Sequence, residues 1–318
     1  MTKPGVILIT TLLILMVMSV ISMQVSKNFY VSLQREAYLD FKNQSYHMLI
    51  NSEKQVIRNL QKEAKVRQSK LTLSDSILKN KFYYQNDLMQ IEIDISDASN
   101  CFNLNSLFNK SSNAFKVRPA YRDWLIRFLE LKSLSTVNIQ SFIDQLVDWV
   151  DQDNQPLNFG AENYFYIGPA SQTQQFTPKR LLVDLSEIQN FPIMQTLDFN
   201  EITSGLCVIP GSTKQLLNIN TLISEDVLLV ASFFNETNLE FTESQIFNLP
   251  KNGYDDVSVF ARNFSQSANY PPQVLSINSQ TFSLEGIIIN ENFSASIKSL
   301  VILDASNTVK IASRTFNF

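Results

Sequence analysis

The sequence predicts an α+β fold in which a long N-terminal helix packs on an antiparallel sheet and a large, mainly helical domain is inserted. Three observations support this fold. An apolar segment at the N-terminus continues without a break into an amphipathic one. Helical patterning dominates the middle of the chain. Strand-like patterning occurs before that block, at 88–95, and again after it, from Gln273 onward.

The N-terminal apolar run extends from Val6 to Met23 and contains no charged residue. A helix of this length rises about 27 Å, close to the thickness of a bilayer core. A secretory signal peptide would have a shorter apolar core and a small-x-small cleavage site, which the sequence lacks. Lys3 and the amino group precede the run and favour a cytoplasmic N-terminus. The run is therefore either a plain membrane anchor or a segment that is kept after a cut behind Gly5.

The segment from Gln24 to about Gln68 contains no proline or glycine, and its apolar residues recur at helical spacing. We expect it to continue the apolar helix, in lipid at its start and on a soluble domain at its end. The apolar positions are Phe29, Leu33, Ala37, Phe41, Met48, Val56 and Leu60.

Composition excludes several classes of function. The net charge of −4 and the pI of about 5.2 disfavour a nucleic-acid surface, which needs a basic stripe. The chain has 7 glycines and no glycine-rich phosphate-loop motif. His47 is the single histidine and lies in the predicted stem helix, which disfavours Ser-His-Asp catalysis and multi-histidine zinc sites. The sequence therefore predicts a protein that is not an enzyme.

The chain has two cysteines, Cys101 and Cys207, without any CxxC spacing. In an oxidising compartment they would form one disulfide that closes a long loop. Two buried free thiols are the alternative, and we favour the disulfide.

The middle of the chain is predicted to be helical over 122–131, 141–149 and 179–191, with a further helix opening within 218–234. The motif NLNSL at 103–107 recurs as NINTL at 218–222. We expect Asn220 or Thr221 to cap the helix that follows, with Glu225 near its positive end. The motif also resembles the helix-hairpin-helix modules of DNA-uptake proteins, but no glycine hairpin follows it, so DNA binding is disfavoured.

Three strand-rich runs end the chain, separated by turns at 290–292 and 305–307. The strand at 88–95 is expected to join them in one sheet. The predicted boundaries are a leader at 1–5, a transmembrane segment at 6–23, an α+β domain at 24–103 and 271–318, and an inserted helical domain at 104–270.

An acidic loop follows the second predicted helix of the insert. Counting Asp151 as position one, Asp153 and Glu162 fall at positions three and twelve, the spacing of an EF-hand, but Pro156 stands where that loop needs glycine. With Asp148, these carboxylates would repel one another unless they were solvated or neutralised, and hard oxygen ligands suit calcium. The sequence predicts a calcium site at Asp148, Asp151, Asp153 and Glu162, with a solvated turn over Trp149, Tyr164 and Tyr166 as the alternative. Acid–base hydrolysis is disfavoured because no other polar cleft residues accompany the carboxylates.

Several segments, taken in order, resemble the minor pseudopilin K family of type II secretion systems, also called general secretion pathway protein K. They are the KPG leader, CFNLNSL, LVDWVDQDNQP followed by GAENYFY, VDLSEI, LCVIPGSTKQLLNINTL and the terminal strands. The resemblance implies a pilin-like fold and a single-pass protein of the bacterial inner membrane, with its C-terminal domain in the periplasm. It also implies prepilin-peptidase cleavage between Gly5 and Val6, methylation of the new N-terminus, and calcium in the inserted domain.

The resemblance implies a tip subunit that initiates and caps the pseudopilus for export of folded proteins across the outer membrane. Its partners would be the minor pseudopilins I and J, other pseudopilins, the inner-membrane secretion platform and membrane lipid, but no nucleic acid. Pilins usually carry glutamate at the fifth mature position, where this chain has Thr10. A carboxylate in lipid is costly without a cationic partner, so a neutral residue suits a subunit with no neighbour above it. A DNA-binding minor pilin of an uptake or type IV pilus system is the alternative.

Overall fold

A computed structural model of the protein describes residues 4–66, 70–85, 89–111, 114–169, 174–264, 271, 273–290, 292–304 and 308–318. Its helices are α1 Pro4–Val66, α2 Ser76–Lys79, α3 Pro119–Leu131, α4 Thr136–Val150, α5 Asn163–Tyr166, α6 Phe199–Thr203, α7 Val227–Phe234, α8 Leu239–Phe247 and α9 Val257–Ala261. Its strands are β1 Phe82–Gln85, β2 Gln90–Asp97, β3 Phe102–Asn103, β4 Phe108–Ser111, β5 Ala114–Val117, β6 Leu206–Cys207, β7 Leu217–Asn218, β8 Leu275–Ser276, β9 Thr281–Ile289, β10 Ser294–Leu303 and β11 Val309–Asn317. Short 3₁₀ helices occupy Leu104–Leu107, Leu185–Asn190, Pro192–Gln195 and Ser224–Asp226.

The first helix is continuous for 63 residues, as the sequence predicts. Its apolar N-terminal segment is exposed over residues 7–23, and an 18-residue window there has a mean hydropathy of 2.3, so the segment is long and apolar enough to cross a membrane. The predicted face becomes buried only from Phe41 onward, whereas Phe29 and Leu33 are exposed. The buried stripe repeats every three or four residues: Phe41, Ser45, Leu49, Ser52, Glu53, Val56 and Leu60.

This stripe packs on a five-stranded antiparallel sheet with the order β1-β2-β9-β10-β11. One face of each central strand is apolar, because alternate residues point to the same side. Gly286 of β9 faces the helix between Ile93 and Ile297, and a Cβ at this position would lie 2.9 Å from the Ile297 side chain. The resulting core joins helix and sheet, and the predicted α+β fold class is confirmed.

A buried ion pair also fastens α1 to the sheet. The Glu53 side chain is only 1% exposed, and it contacts the paired residues Ser299 of β10 and Arg314 of β11. Its Oε1 accepts from Arg314 Nε at 3.0 Å, its Oε2 accepts from Arg314 Nη2, and the Ser299 hydroxyl also donates to it. Because a buried carboxylate needs partners, this contact fixes the position of the helix along the sheet.

A second hydrophobic core begins at Phe102 and ends at Val274, close to the predicted boundaries of the insert. Helices α3, α4 and α7 supply the largest share of it, with Trp124 packed edge-on between Phe102 and Phe233. Strands β3 and β6 pair in parallel at its edge. Beside them Cys101 and Cys207 form a disulfide, with an S–S distance of 1.98 Å.

The repeated NLNSL and NINTL motifs adopt the same arrangement twice. In each, the side chain of the first asparagine accepts the backbone N–H of the residue two positions later. Asn103 accepts from Asn105, and Asn218 accepts from Asn220. The side-chain amide of the second asparagine bonds to both the backbone N–H and the backbone C=O of one distant residue. That residue is Leu182 for Asn105 and Tyr254 for Asn220. Each copy of the motif therefore links segments that are distant in sequence by side-chain hydrogen bonds.

The predicted helix cap at Asn220 or Thr221 is wrong. Asn220 is engaged with Tyr254, and the Thr221 hydroxyl donates to Asp97 at 2.5 Å. A 3₁₀ turn begins at Ser224 instead, and Asp226 accepts the N–H of Ile223. Glu225 does lie in the first turn, as expected.

Other element boundaries also differ from the predictions. The helix predicted over 179–191 is a 3₁₀ turn at Leu185–Asn190, started by a capping box between Asp184 and Glu187. The strand predicted at 88–95 runs from Gln90 to Asp97, and the sequence analysis missed its partner β1 and the β4–β5 hairpin. The predicted turn at 305–307 and residue 291 of the other turn lie outside the described residues.

Candidate cation site

The acidic loop lies where α4 ends against the short helix α5 and a returning segment. α4 is amphipathic and starts at the cap Ser135, whose side chain accepts the N–H of Asn138. Its C-cap is Asp151, and the side chain of Glu162 caps α5 by accepting the N–H of Asn163. The segment near Thr177 is held by Asn163, whose Oδ1 accepts both the N–H and the hydroxyl of Thr177.

This packing brings three of the four predicted ligands together. One carboxylate oxygen each from Asp151, Asp153 and Glu162 lies within 4.8 Å of the others. Asp153 is exposed, Asp151 is half-buried and Glu162 is 1% exposed. Within the described part of the chain, the buried oxygens Asp151 Oδ1 and Glu162 Oε1 have no hydrogen-bond partner. Because buried polar atoms are normally paired, these two oxygens indicate that a cation fits between the carboxylates.

The electrostatics of Asp151 and Glu162 point the same way. Burial and the neighbouring charges of Asp153 and Glu162 raise the pKa of Asp151 to about 6. Burial is also the main cause that raises the pKa of Glu162. A divalent cation would offset this repulsion, and the unpaired oxygens would serve as its ligands.

The fourth predicted ligand, Asp148, is not part of this group of three. Both of its carboxylate oxygens accept the N–H of Leu157 at 3.2 Å, and it is fully buried. Burial, ahead of its acidic neighbours, raises the pKa of Asp148 to about 7. A Cβ on Gly160 would fall 1.8 Å from Asp148 Oδ2, so only glycine fits there. Together with Asp144, which accepts the N–H of Phe159, Asp148 holds the loop in position.

Two residues that the sequence analysis did not assign to the site also face it. Lys179 Nζ lies 3.6 Å from Glu162 Oε2 and donates to the backbone carbonyl of Asp153. The Tyr166 hydroxyl is buried and has no hydrogen-bond partner among the described residues, and burial followed by the charges of Asp148 and Glu162 raises its pKa. Neither residue falls within a recognisable ligand spacing, so no sequence signal indicated their role.

The aromatic cluster predicted beneath the loop is partly correct. Trp149 and Tyr166 pack edge-to-face with ring centroids 5.0 Å apart. Tyr164 does not join them, because its side chain is 63% exposed. His47 is exposed on the stem helix beside Tyr46.

The predicted processing site lies at the start of α1. The backbone of Gly5 and Val6 is helical. One turn later the Thr10 hydroxyl donates to the carbonyl of Ile7 at 2.9 Å, and the hydroxyl of Thr11 donates to Leu8. These bonds return the polar groups of the apolar run to its own backbone, as a lipid environment requires.

Parts of the chain are similar in sequence to known proteins. Residues 100–211 match the protein-family model of type II secretion system protein K. The chain is 30% identical over 145 residues to type II secretion system protein K of Klebsiella pneumoniae, an alignment that covers 46% of this chain and 44% of that protein. It is 28% identical over 195 residues to the same protein of Pectobacterium carotovorum, covering 59% and 58%. The alignments thus span about half the length of these relatives.

The fold is also that of a solved structure. A chain in the crystal structure of the GspK-GspI-GspJ complex from enterotoxigenic Escherichia coli superposes with a TM-score of 0.71 at 18% identity, covering 87% of this chain and 98% of that one. The match extends the likeness from the helical domain to the stem and sheet. The chain is therefore similar in sequence to type II secretion system protein K, chiefly over residues 100–211, and shares its fold with a chain of the solved complex.

Proposed function

We propose that the protein is a minor pseudopilin at the tip of a type II secretion pseudopilus, where it initiates assembly and caps the fibre. The observation that carries this proposal is the first helix. One unbroken helix has an exposed apolar N-terminal segment, and its C-terminal part is fastened to the sheet by a buried stripe and the Glu53–Arg314 pair. Such a stem can leave the bilayer and pack among other stems while its head stays rigidly attached.

The proposal includes processing and location. Prepilin peptidase cuts between Gly5 and Val6, the new N-terminus is methylated, and the head lies in the periplasm. The partners are the minor pseudopilins I and J, which accompany the K protein in the solved complex that shares this fold. Other pseudopilins, the inner-membrane platform and membrane lipid would contact the stem.

Cleavage is tested with Gly5→Ala in the full-length protein. The variant is expected to migrate as the slightly larger precursor and to abolish secretion, because the peptidase needs the glycine at the cut. Thr11→Ala, in the same helix, is the control and should be processed normally. Normal processing of Gly5→Ala would contradict the leader assignment.

The tip position is tested at Thr10. Thr10→Glu places a carboxylate in lipid with no subunit above to neutralise it, so secretion should fall, whereas Thr10→Ala should be tolerated. Electron microscopy of pseudopili labelled at the head of this protein should show one label at the fibre end. Labels along the shaft would overturn the tip assignment.

We further propose that Asp151, Asp153 and Glu162 bind calcium, with Asp148 holding the loop. The two unpaired buried oxygens support this. Calcium at 100 times its dissociation constant would stabilise the protein by about 2.7 kcal/mol. The melting temperature should therefore rise with calcium in the wild type but not in Asp151→Ala/Glu162→Ala, while Glu243→Ala, exposed on α8, should behave like the wild type. A calcium titration that leaves the wild-type melting curve unchanged would remove the calcium site.

A further inference from the structure

We propose that the ammonium group of Lys179 is a built-in counterion of the Asp151, Asp153 and Glu162 cluster, and that it competes with a divalent cation for these carboxylates. Lys179 would therefore set the affinity of the site. The inference rests on the proposed cation-binding function of the cluster, and its test separates the two.

The contacts of Lys179 aim its charge into the cluster. Its Nζ lies 3.6 Å from Glu162 Oε2 and donates to the carbonyl of Asp153, and the side chain is 21% exposed. Among the described residues, Lys179 is the one cation that forms an ion pair with any of these carboxylates, and its partner is Glu162. The next residue, Arg180, turns away and pairs with Glu187 at 3.1 Å.

The backbone at Lys179 is specialised for this position. Its φ is +50°, in the left-handed region that lysine seldom adopts. The Gln152 side chain holds this conformation by donating to the Lys179 carbonyl at 2.6 Å. A disfavoured conformation persists where surrounding contacts over-determine it, and such sites are often functional.

One ammonium does not satisfy the cluster. Three carboxylates face a single positive charge, and Glu162 Oε1 and Asp151 Oδ1 remain without hydrogen-bond partners among the described residues. A divalent cation carries more charge and takes six to eight oxygen ligands. It cannot share Glu162 with a nearby ammonium without strong repulsion. The flexible stem of lysine lets the ammonium swing out to solvent when the cation binds.

The experiment measures calcium binding to the full-length protein in detergent micelles by isothermal titration calorimetry. Lys179→Met removes the competing charge, and Lys179→Gln removes it while keeping a donor for the Asp153 carbonyl. Because the competing charge is gone, the dissociation constant for calcium should be at least about tenfold lower in both variants than in the wild type. Arg180→Met removes the neighbouring charge and should bind within about twofold of the wild type. Asp151→Ala/Glu162→Ala should not bind.

The outcomes distinguish the inference from the proposed function. If the wild type binds calcium and both Lys179 variants bind with the same affinity or more weakly, the competition is refuted while the calcium site stands. If only the Lys179 variants bind, the inference holds, and calcium binding by the wild type is refuted. If none of these proteins binds, both fall. If Arg180→Met tightens calcium binding as much as Lys179→Met does, the gain in affinity arises from the net charge of the protein. The specific role of Lys179 is then also refuted.

Discussion

Removing Arg314 should destabilise the joint between stem and sheet more than removing a comparable exposed cation. The Arg314→Met variant would leave the Glu53 carboxylate, 1% exposed, with the Ser299 hydroxyl as its remaining partner among the hydrogen bonds described for it. Breaking a buried ion pair in this way costs about 3–5 kcal/mol. The Arg314 side chain is 29% exposed, so water can partly replace it, and we expect a loss near the lower limit, about 3 kcal/mol.

The two partners should behave asymmetrically. Glu53→Gln leaves an uncharged amide beside Ser299 and frees an arginine that can reach water, so its cost should be smaller, about 1–2 kcal/mol. The double variant Glu53→Met/Arg314→Met leaves no buried charge, and its loss should be less than the sum of the single variants Glu53→Met and Arg314→Met by about 2 kcal/mol.

The assay is urea unfolding of the full-length protein in detergent, followed by circular dichroism. Tryptophan fluorescence is a useful second signal, because Trp124 and Trp149 both lie in the core of the helical insert and report on that domain. Arg262→Met is the matched control, since the Arg262 side chain donates only to Ser258, four residues before it, among the residues that the structure describes. A loss for Arg314→Met no greater than for Arg262→Met, or strict additivity in the double variant, would refute the reasoning.

Three further predictions concern the insert. Cys101→Ala/Cys207→Ala should lower the free energy of unfolding by at most about 4.8 kcal/mol, because the disulfide spans 106 residues, and the difference between the variant and the wild type should vanish when the wild type is reduced. Burial raises the pKa of Asp226 to about 7, ahead of the repulsion from Asp97. The folded carboxyl thus holds its proton more tightly than the unfolded one, so the stability from this group is full below about pH 4 and is lost as the pH rises through about 7, by up to about 4 kcal/mol. In urea titrations at pH 4 and pH 7.5, Asp226→Asn should reduce the loss of unfolding free energy between the two pH values. A loss as large as that of the wild type would show that Asp226 is not its cause. Gly160→Ala should push the Asp148 carboxylate off the Leu157 amide and lower the free energy of unfolding by about 1–3 kcal/mol. Gly211→Ala has open space around its Cβ and should cost only the strain of its φ of +69°. The melting temperature should therefore drop less for Gly211→Ala than for Gly160→Ala.

The sequence determined the elements that depend on local periodicity. An uninterrupted apolar and then amphipathic run can form only one continuous helix, and the alternation after Gln273 can form only strands with one buried face. The order of motifs was likewise enough to indicate the similarity to type II secretion system protein K, and three of the four acidic residues singled out in the sequence do meet in space.

The tertiary structure decided what depends on contacts between distant residues. Asn220 looked like a helix cap because its neighbours in sequence allow one, but Tyr254 offers it a backbone N–H and C=O that the sequence does not reveal. Asp148 lies in the last turn of α4 and Asp151 is its C-cap, yet one holds the loop backbone and the other faces the candidate cation site. Lys179 enters that site from a separate segment. Periodicity reports which face of an element is buried, whereas the partner of a polar group is set by the chain that folds against it, and only the assembled fold supplies that partner.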